Sequence, residues 1–266
     1  MWKHHILGSM LVAIVVALAF TFAPSNTAYA KTYNWGFTKS KEGKPADAGH
    51  ELEAVLKEYD AIYKGRPDEK VIYLTFDNGF ENGHTESILN TLREENVKAT
   101  FFLTGHYLKS ATDLVKRMID EGHTIGNHSY GHPNMANLPE EKMIDEWKKF
   151  DKLLNELTGV ERTYFVRPPE GVFSEKVLEI GNRHGYRHIF WSIAFVDWDK
   201  NSQKGWEYAY DELMKQLHPG GIILMHTVAK HNADAMPKFI QEAKKQGYRF
   251  GTLDELVTDF TLERKN

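Results

Sequence analysis

Two histidines four residues apart, in Asn127-His128-Ser129-Tyr130-Gly131-His132-Pro133, are the side chains of this sequence best suited to hold a metal. An i, i+4 spacing brings two imidazoles together on one helical turn, and Gly131 and Pro133 confine that turn to a loop. Two imidazoles plus one oxygen make an open site, with positions left for water and substrate. Asp77 or Asn78, in Thr75-Phe76-Asp77-Asn78-Gly79, can supply the oxygen. That stretch closes the apolar run Val71-Ile72-Tyr73-Leu74, which reads as a strand buried on both faces. An unpaired carboxylate buried there is strongly unfavourable, so a metal, a cation or an arginine must lie beside Asp77. On its own, Asp-Asn-Gly also reads as a turn.

The elements that must position these groups alternate. Apolar runs at 71–76, 100–103, 123–126, 164–166, 188–192, 222–225 and 248–251 are separated by amphipathic stretches at 86–95, 113–121, 140–157, 174–184, 208–217 and 233–246, with 253–257 last. About seven βα units with no all-strand region predict an α/β fold, a parallel sheet covered by helices and either closed as a barrel or doubly wound. Polar residues fall just after successive strands: Asp77 and Asn78, then His128 and His132, Arg167, Asp197 with Trp198, and His226. In a β/α barrel those ends meet on one face, where such architectures place their active sites. The convergence argues against the simple turn. His106 follows the second strand and could line the cleft, while His123, His184, His188, His218 and His231 have no comparable setting.

The chain has 266 residues, with 33 basic against 37 acidic side chains and no cysteine. Residues 1–30 read as a signal peptide: Lys3 with two histidines, an apolar stretch from Ile6 to Phe22, and Ala28-Tyr29-Ala30 before the cut. The competing reading is a retained membrane anchor. Both put the working part outside the cytoplasm. Residues 31–70 form a lead-in with one helix, and 71–260 a single domain. Zero cysteines in an exported chain leave no disulfides, no thiolate nucleophile and no Cys-ligated zinc. The mildly acidic balance gives no reason to expect nucleic acid, and no protein partner is evident.

Taken in order, Thr75-Phe76-Asp77-Asn78-Gly79, His128-Ser129-Tyr130-Gly131-His132, Arg167-Pro168-Pro169-Glu170-Gly171, Asp197-Trp198 and Leu224-Met225-His226 resemble the five motifs of the NodB-type polysaccharide deacetylases, carbohydrate esterase family 4. The likeness runs from about Val71 to Leu256. It implies a distorted (β/α) barrel that removes acetyl groups from glycans with one divalent metal, zinc or similar. A narrower resemblance, carried by Asn34-Trp35-Gly36-Phe37, Asn78, Phe80-Glu81-Asn82-Gly83, Ala194-Phe195-Val196 and His218-Pro219-Gly220, is to the delta-lactam-biosynthetic de-N-acetylases. These act on N-acetylmuramic acid of spore-cortex peptidoglycan, so peptidoglycan glycan strands are the expected partner.

The resemblance also implies roles. An acetamide is a poor electrophile and needs activated water, oxyanion stabilisation and an acid for the departing amine. Asp77 is the candidate base, held ionised by Arg167. His226 is the candidate acid, its pKa raised by Asp197. His128 and His132, with Asn78, would hold the metal; Trp198, Pro169, Glu170 and Gly171 would contact the sugar. Two departures matter. Asn78 stands where the family has a ligating aspartate, so the metal should be held more weakly or differently, and Glu170 replaces an aromatic. The main rival is a glycan-binding protein on the same fold that has lost turnover; a glycosidase, using Asp77 and Asp197 as its carboxylate pair, is a weaker one.

Overall fold

The computed structural model describes residues 31–199 and 204–263, so the predicted signal peptide lies outside the described residues. The strands are β1 (Thr32–Asn34), β2 (Val71–Asn78), β3 (Ala99–Leu103), β4 (Thr124–Asn127), β5 (Phe165–Val166), β6 (Val172–Ser174), β7 (Arg187–His188), β8 (Ile222–His226) and β9 (Arg249–Phe250). Between them lie α1 (His50–Glu58), α2 (Thr85–Glu94), α3 (Gly105–Ser110), α4 (Thr112–Asp120), α5 (Glu140–Thr158), α6 (Glu175–Arg183), α7 (Trp206–Gln216), α8 (Lys230–Lys245) and α9 (Leu253–Glu263).

Seven strands form one parallel sheet, ordered β7-β5-β4-β3-β2-β8, with β9 beside the first residues of β2. The sheet curls because the chain following β7 crosses to the opposite edge. Ile193 bridges Ile223 in parallel, and Ser192 N–H donates to the Ile222 carbonyl at 2.9 Å. The expected distorted barrel of about seven strands is the fold observed. Alternation along β2 separates two cores. Ile72, Leu74 and Phe76 join the large cluster beneath the helices, whereas Val71 and Tyr73 join Phe102, Phe165, Ile189 and Ile222 inside the curl, where Leu253 and Leu256 of α9 plug it.

The structure corrects several sequence expectations. β2 does not end before Asp77 but runs through Asn78, so both residues belong to the ladder, opposite Phe102 and Leu103 of β3. Helix α3 has no long periodic signal; Thr104 caps it, its hydroxyl accepting from Tyr107 N–H at 3.3 Å. The lead-in contains its one expected helix, α1, and also a strand. β1 pairs antiparallel with β6, and Trp35 packs on Phe190 and donates through Nε1 to the Trp191 carbonyl at 3.1 Å.

Inside the curl the packing leaves no room at Gly126 of β4. A Cβ there would lie 2.5 Å from the Phe102 ring. Gly126→Ala is therefore expected to destabilise the fold by about 1–3 kcal/mol through overpacking, read as a lower urea midpoint. An unchanged midpoint would show that the Phe102 ring yields.

Candidate active site

Arg167 follows β5, and its N–H continues the ladder to the Asn127 carbonyl at 3.0 Å, which aims the side chain across the interior. Its Nη1 donates to Asp77 Oδ1 at 2.7 Å, its Nε to the Ile189 carbonyl at 3.0 Å and its Nη2 to the Phe190 carbonyl at 3.3 Å. The guanidinium lies 4.1 Å from the Phe102 ring centroid. Asp77 thus has the cationic partner that its burial demanded. Burial opposes its ionisation, but Arg167, aided by His128 and His226, outweighs that, and the carboxyl lies below its ordinary range.

His128 and His132 come together without a helical turn. Asn127 Oδ1 accepts from Ser129 N–H and Ser129 Oγ accepts from His132 N–H, each at 2.9 Å. Ser129 and His132 adopt positive φ of 63° and 58°, and the ring centroids lie 4.8 Å apart. His128 Nδ1 meets the Arg167 carbonyl at 2.9 Å, so Nδ1 carries the proton and Nε2 keeps its lone pair, 3.5 Å from Asp77 Oδ2. Burial is the main cause that pulls His128 down to about 4, and the ring is neutral at neutral pH. A lone pair and an anionic oxygen facing each other at that distance suit a cation, and the carbonyl behind Nδ1 is the usual support of a ligating histidine. By their chemistry the two imidazoles fit a divalent metal, although among the described residues no group of three or more His, Asp or Glu side chains is placed to hold one.

Asn78 makes its side-chain hydrogen bond to Thr227. It is one residue on from Asp77 in β2 and fully buried, with Nδ2 donating to Thr227 Oγ1 at 2.7 Å. Its Oδ1 has no partner among the described residues. Through Nδ2 the side chain straps the ends of β2 and β8 together, and Oδ1 is the atom left over.

His226 ends β8 in register with Asp77. Its Nδ1 meets Asp197 Oδ1 at 2.8 Å, and its backbone N–H donates to Asp197 Oδ2 at 2.8 Å. Burial works against a charged imidazole, yet Asp197, with Asp77, raises His226 above its ordinary value. Asp197 itself is buried and spends both oxygens on these contacts, which turns it away from the second-carboxylate role of a glycosidase.

Asp77, His128, His132, Glu170, Trp191, Trp198, Leu224 and His226 line one cavity of about 500 Å³, enough for a sugar residue. Trp198 is exposed at the rim, 6.0 Å from the His226 ring. Glu170 reaches the cavity from a 3-10 turn at positive φ, whereas Pro169 and Gly171 are buried. Gly171 donates its N–H to the Pro168 carbonyl, and a Cβ on it would lie 2.8 Å from Trp35. Its part here is to let Trp35 and Trp191 close behind the turn. His106 is exposed on α3 and outside the cavity. Trp191, half-buried in the segment after β7, and Leu224, a buried residue of β8 two before His226, have no site role in the sequence reading, because an apolar side chain there reads equally as wall or core.

This constellation lies within a chain that matches known proteins along most of its length. Residues 64–189 match the model of the polysaccharide deacetylase family. Peptidoglycan-N-acetylmuramic acid deacetylase PdaA of Bacillus subtilis is 47% identical over 242 residues, which cover 91% of this chain and 92% of PdaA. The chain belongs to the polysaccharide deacetylase family. The PdaA structure, described as a family 4 carbohydrate esterase, superimposes with a TM-score of 0.84 at 47% identity, over 86% of this chain and 98% of that one. A family 4 pseudoenzyme from Bacillus anthracis, BA3943, also matches, at 32% identity and a TM-score of 0.68, over 74% of this chain and 68% of that one. Membership makes the chain a hydrolase of acetylated glycans.

Removing Arg167 isolates a buried carboxylate. Arg167→Gln is expected to destabilise the protein by about 3–5 kcal/mol at neutral pH. The sign follows from linkage: Asp77 is depressed in the wild type, so its contribution is present above the unfolded carboxyl value near 3.9 and lost as pH falls through the folded one. The stability gap between variant and wild type should shrink as pH drops below about 4, and urea titrations at several pH values measure it. A gap independent of pH would mean that Arg167 acts by packing alone.

Proposed function

We propose that this protein hydrolyses the N-acetyl group of N-acetylmuramic acid in peptidoglycan outside the cytoplasm, in the route to muramic delta-lactam of spore cortex. The observation that carries the reading is the pair Asp77 and His226. They face one cavity from register-paired strands, with the carboxyl shifted down and the imidazole shifted up. Environments that push two titratable groups apart in this way assign a base and an acid. The relationship to PdaA, whose name states the muramic acid substrate, supports the choice of sugar.

In this reading Asp77 takes a proton from the attacking water, and Arg167 holds the carboxylate ionised and in place. His226 gives its proton to the departing amine, and Asp197 keeps the ring charged until then. Trp198 covers the sugar at the rim, and Trp191 and Leu224 wall the acetyl group off from solvent. His128 and His132 would hold a divalent metal, which when bound supplies Lewis-acid polarisation of the acetyl carbonyl. In this reading Asn78 stays outside the ligand set, its Nδ2 held by Thr227.

Acetate release from defined muramic-acid glycans, followed by mass spectrometry, tests the reading. Asp77→Asn should lower kcat by about 10²–10⁴-fold with glycan binding retained, because a general base acts in the transition state more than in the ground state. The basic limb of the wild-type pH profile should lie above the ordinary imidazole value of 6.5, and Asp197→Asn should move it down. If the wild type binds these glycans yet releases no acetate with any divalent metal, the protein is a binder in the manner of a pseudoenzyme and the proposal fails.

For the metal, Asn78→Asp separates the two placements. If position 78 bonds to Thr227 and not to the metal, a carboxylate there should leave metal affinity by calorimetry within about twofold of wild type, whereas His128→Ala with His132→Ala should abolish uptake. A marked tightening in the Asp variant would put position 78 among the ligands.

A further inference from the structure

The first turn of α8 reaches the same machinery through a residue with no part in any motif. Asn232 is completely buried, and its Nδ2 donates twice: to Asp197 Oδ2 at 2.6 Å and to the His226 carbonyl at 2.9 Å. Both partners are acceptors only, so the amide orientation is forced: the nitrogen faces them. The other end of the amide gains nothing, because Asn232 Oδ1 is buried with no hydrogen-bond partner among the described residues. An orphaned buried acceptor costs about 1–3 kcal/mol, and an apolar side chain of similar size would avoid it. Packing therefore does not account for an asparagine here; its two donated hydrogens do.

We infer that Asn232 is a positioning residue for the His226–Asp197 pair. Asp197 Oδ2 receives two donors, the His226 backbone N–H and Asn232 Nδ2, which fixes the plane of the carboxylate. Oδ1 is then left in line with His226 Nδ1 at 2.8 Å. The ring consequently carries its proton on Nδ1 when neutral and turns Nε2 to the cavity, the atom that must hold and release the second proton. The contact to the His226 carbonyl ties the same amide to the end of β8, so carboxylate, ring and strand move as one body. The location of Asn232 in the first turn of a 16-residue helix adds a second effect: the positive end of α8 lies on the side of Asp197 and favours its anion.

The inference rests on the reading of His226 as the acid, and its test does not depend on turnover. Histidine-labelled protein is titrated by NMR, with the His226 signals assigned by their absence in His226→Gln. The charged groups around this ring are Asp197, Asp77 and Arg167, and His231 faces Asp197 from α8; none is altered by Asn232→Leu, a substitution of similar size without donors. In the wild type the neutral ring should be almost wholly the Nδ1–H tautomer. In Asn232→Leu both tautomers should appear, and the titration midpoint should fall toward the ordinary value, because the carboxylate no longer holds its line to Nδ1. Asn232→Ser, which keeps a shorter donor, should lie between, and it carries the test if the leucine variant does not fold. Where the wild type deacetylates, kcat should drop about tenfold or more in Asn232→Leu while KM stays within about twofold, as expected for an interaction used in the transition state. A tautomer ratio and midpoint equal to wild type in a folded variant would make Asn232 merely structural and overturn the inference. So would a midpoint that rises, since the amide would then only draw charge from Asp197. Failure of the wild type to release acetate would sink the proposed reaction and leave the NMR result standing by itself.

Discussion

Everything in this site depends on the contact between Asp77 and Arg167. Both side chains are nearly or wholly excluded from water, so each is tolerable only in the presence of the other. Arg167 also spends Nε and Nη2 on the carbonyls of Ile189 and Phe190, in the segment that leaves β7 and closes the curl against β8. One guanidinium thereby joins β2, β5 and the closing segment. The barrel cannot open at that edge without exposing a charge pair, and the charge pair cannot form unless the barrel closes. Function and architecture share one interaction.

The two residues at the head of the first motif illustrate how strongly a strand's period constrains chemistry. Successive side chains of a strand point to opposite faces. Asp77 falls in with Val71 and Tyr73, facing the interior, and finds Arg167 and His128 there. Asn78 falls in with Ile72, Leu74 and Phe76, on the helix side, and finds Thr227. A neutral amide is well suited to that place, because the neighbouring network already contains the Glu81 carboxylate, held by Thr85 and Tyr107. A second carboxylate there would be buried beside the first. The neutral residue at position 78 is thus explained by where its side chain goes as well as by what it fails to supply.

The sheet was readable because parallel strands buried on both faces leave continuous apolar runs, and the residues at their ends stand out against them. Asp77, His128, His132, Arg167, Asp197 and His226 were all found in this way, and the structure brings them together. What could not be read is whatever depends on the direction of a side chain. Pro169 and Gly171 share a motif with Glu170, yet only Glu170 reaches the cavity, since the positive φ at 170 turns it outward. Trp191 and Leu224 look like core in sequence because a cavity wall is built of core residues. The pairing of β1 with β6 joins positions about 140 apart through three residues each, too short a run to carry a period. The i, i+4 spacing of the histidines brings the rings together by another geometry than a helical turn: two left-handed residues and two side-chain hydrogen bonds do it.

That last difference divides the site into parts of unequal stiffness. Asp77 and His226 are register-paired residues of adjacent strands, and strand spacing, near 4.8 Å, sets their separation before any ligand arrives. His128 and His132 depend on a loop in which Ser129 and His132 sit at positive φ, a conformation costing on the order of 1–2 kcal/mol each. A sheet does not adjust and a loop of this kind can. The strand ends therefore place the acid and base before Arg167, Asp197 and Asn232 orient them, while of the two imidazoles His128 is tied to the Arg167 carbonyl and His132 is carried by the loop. A site divided in this way keeps its proton-transfer geometry even where the metal is loosely held, which is the condition expected when two neutral imidazoles are left without the charge of a ligating aspartate.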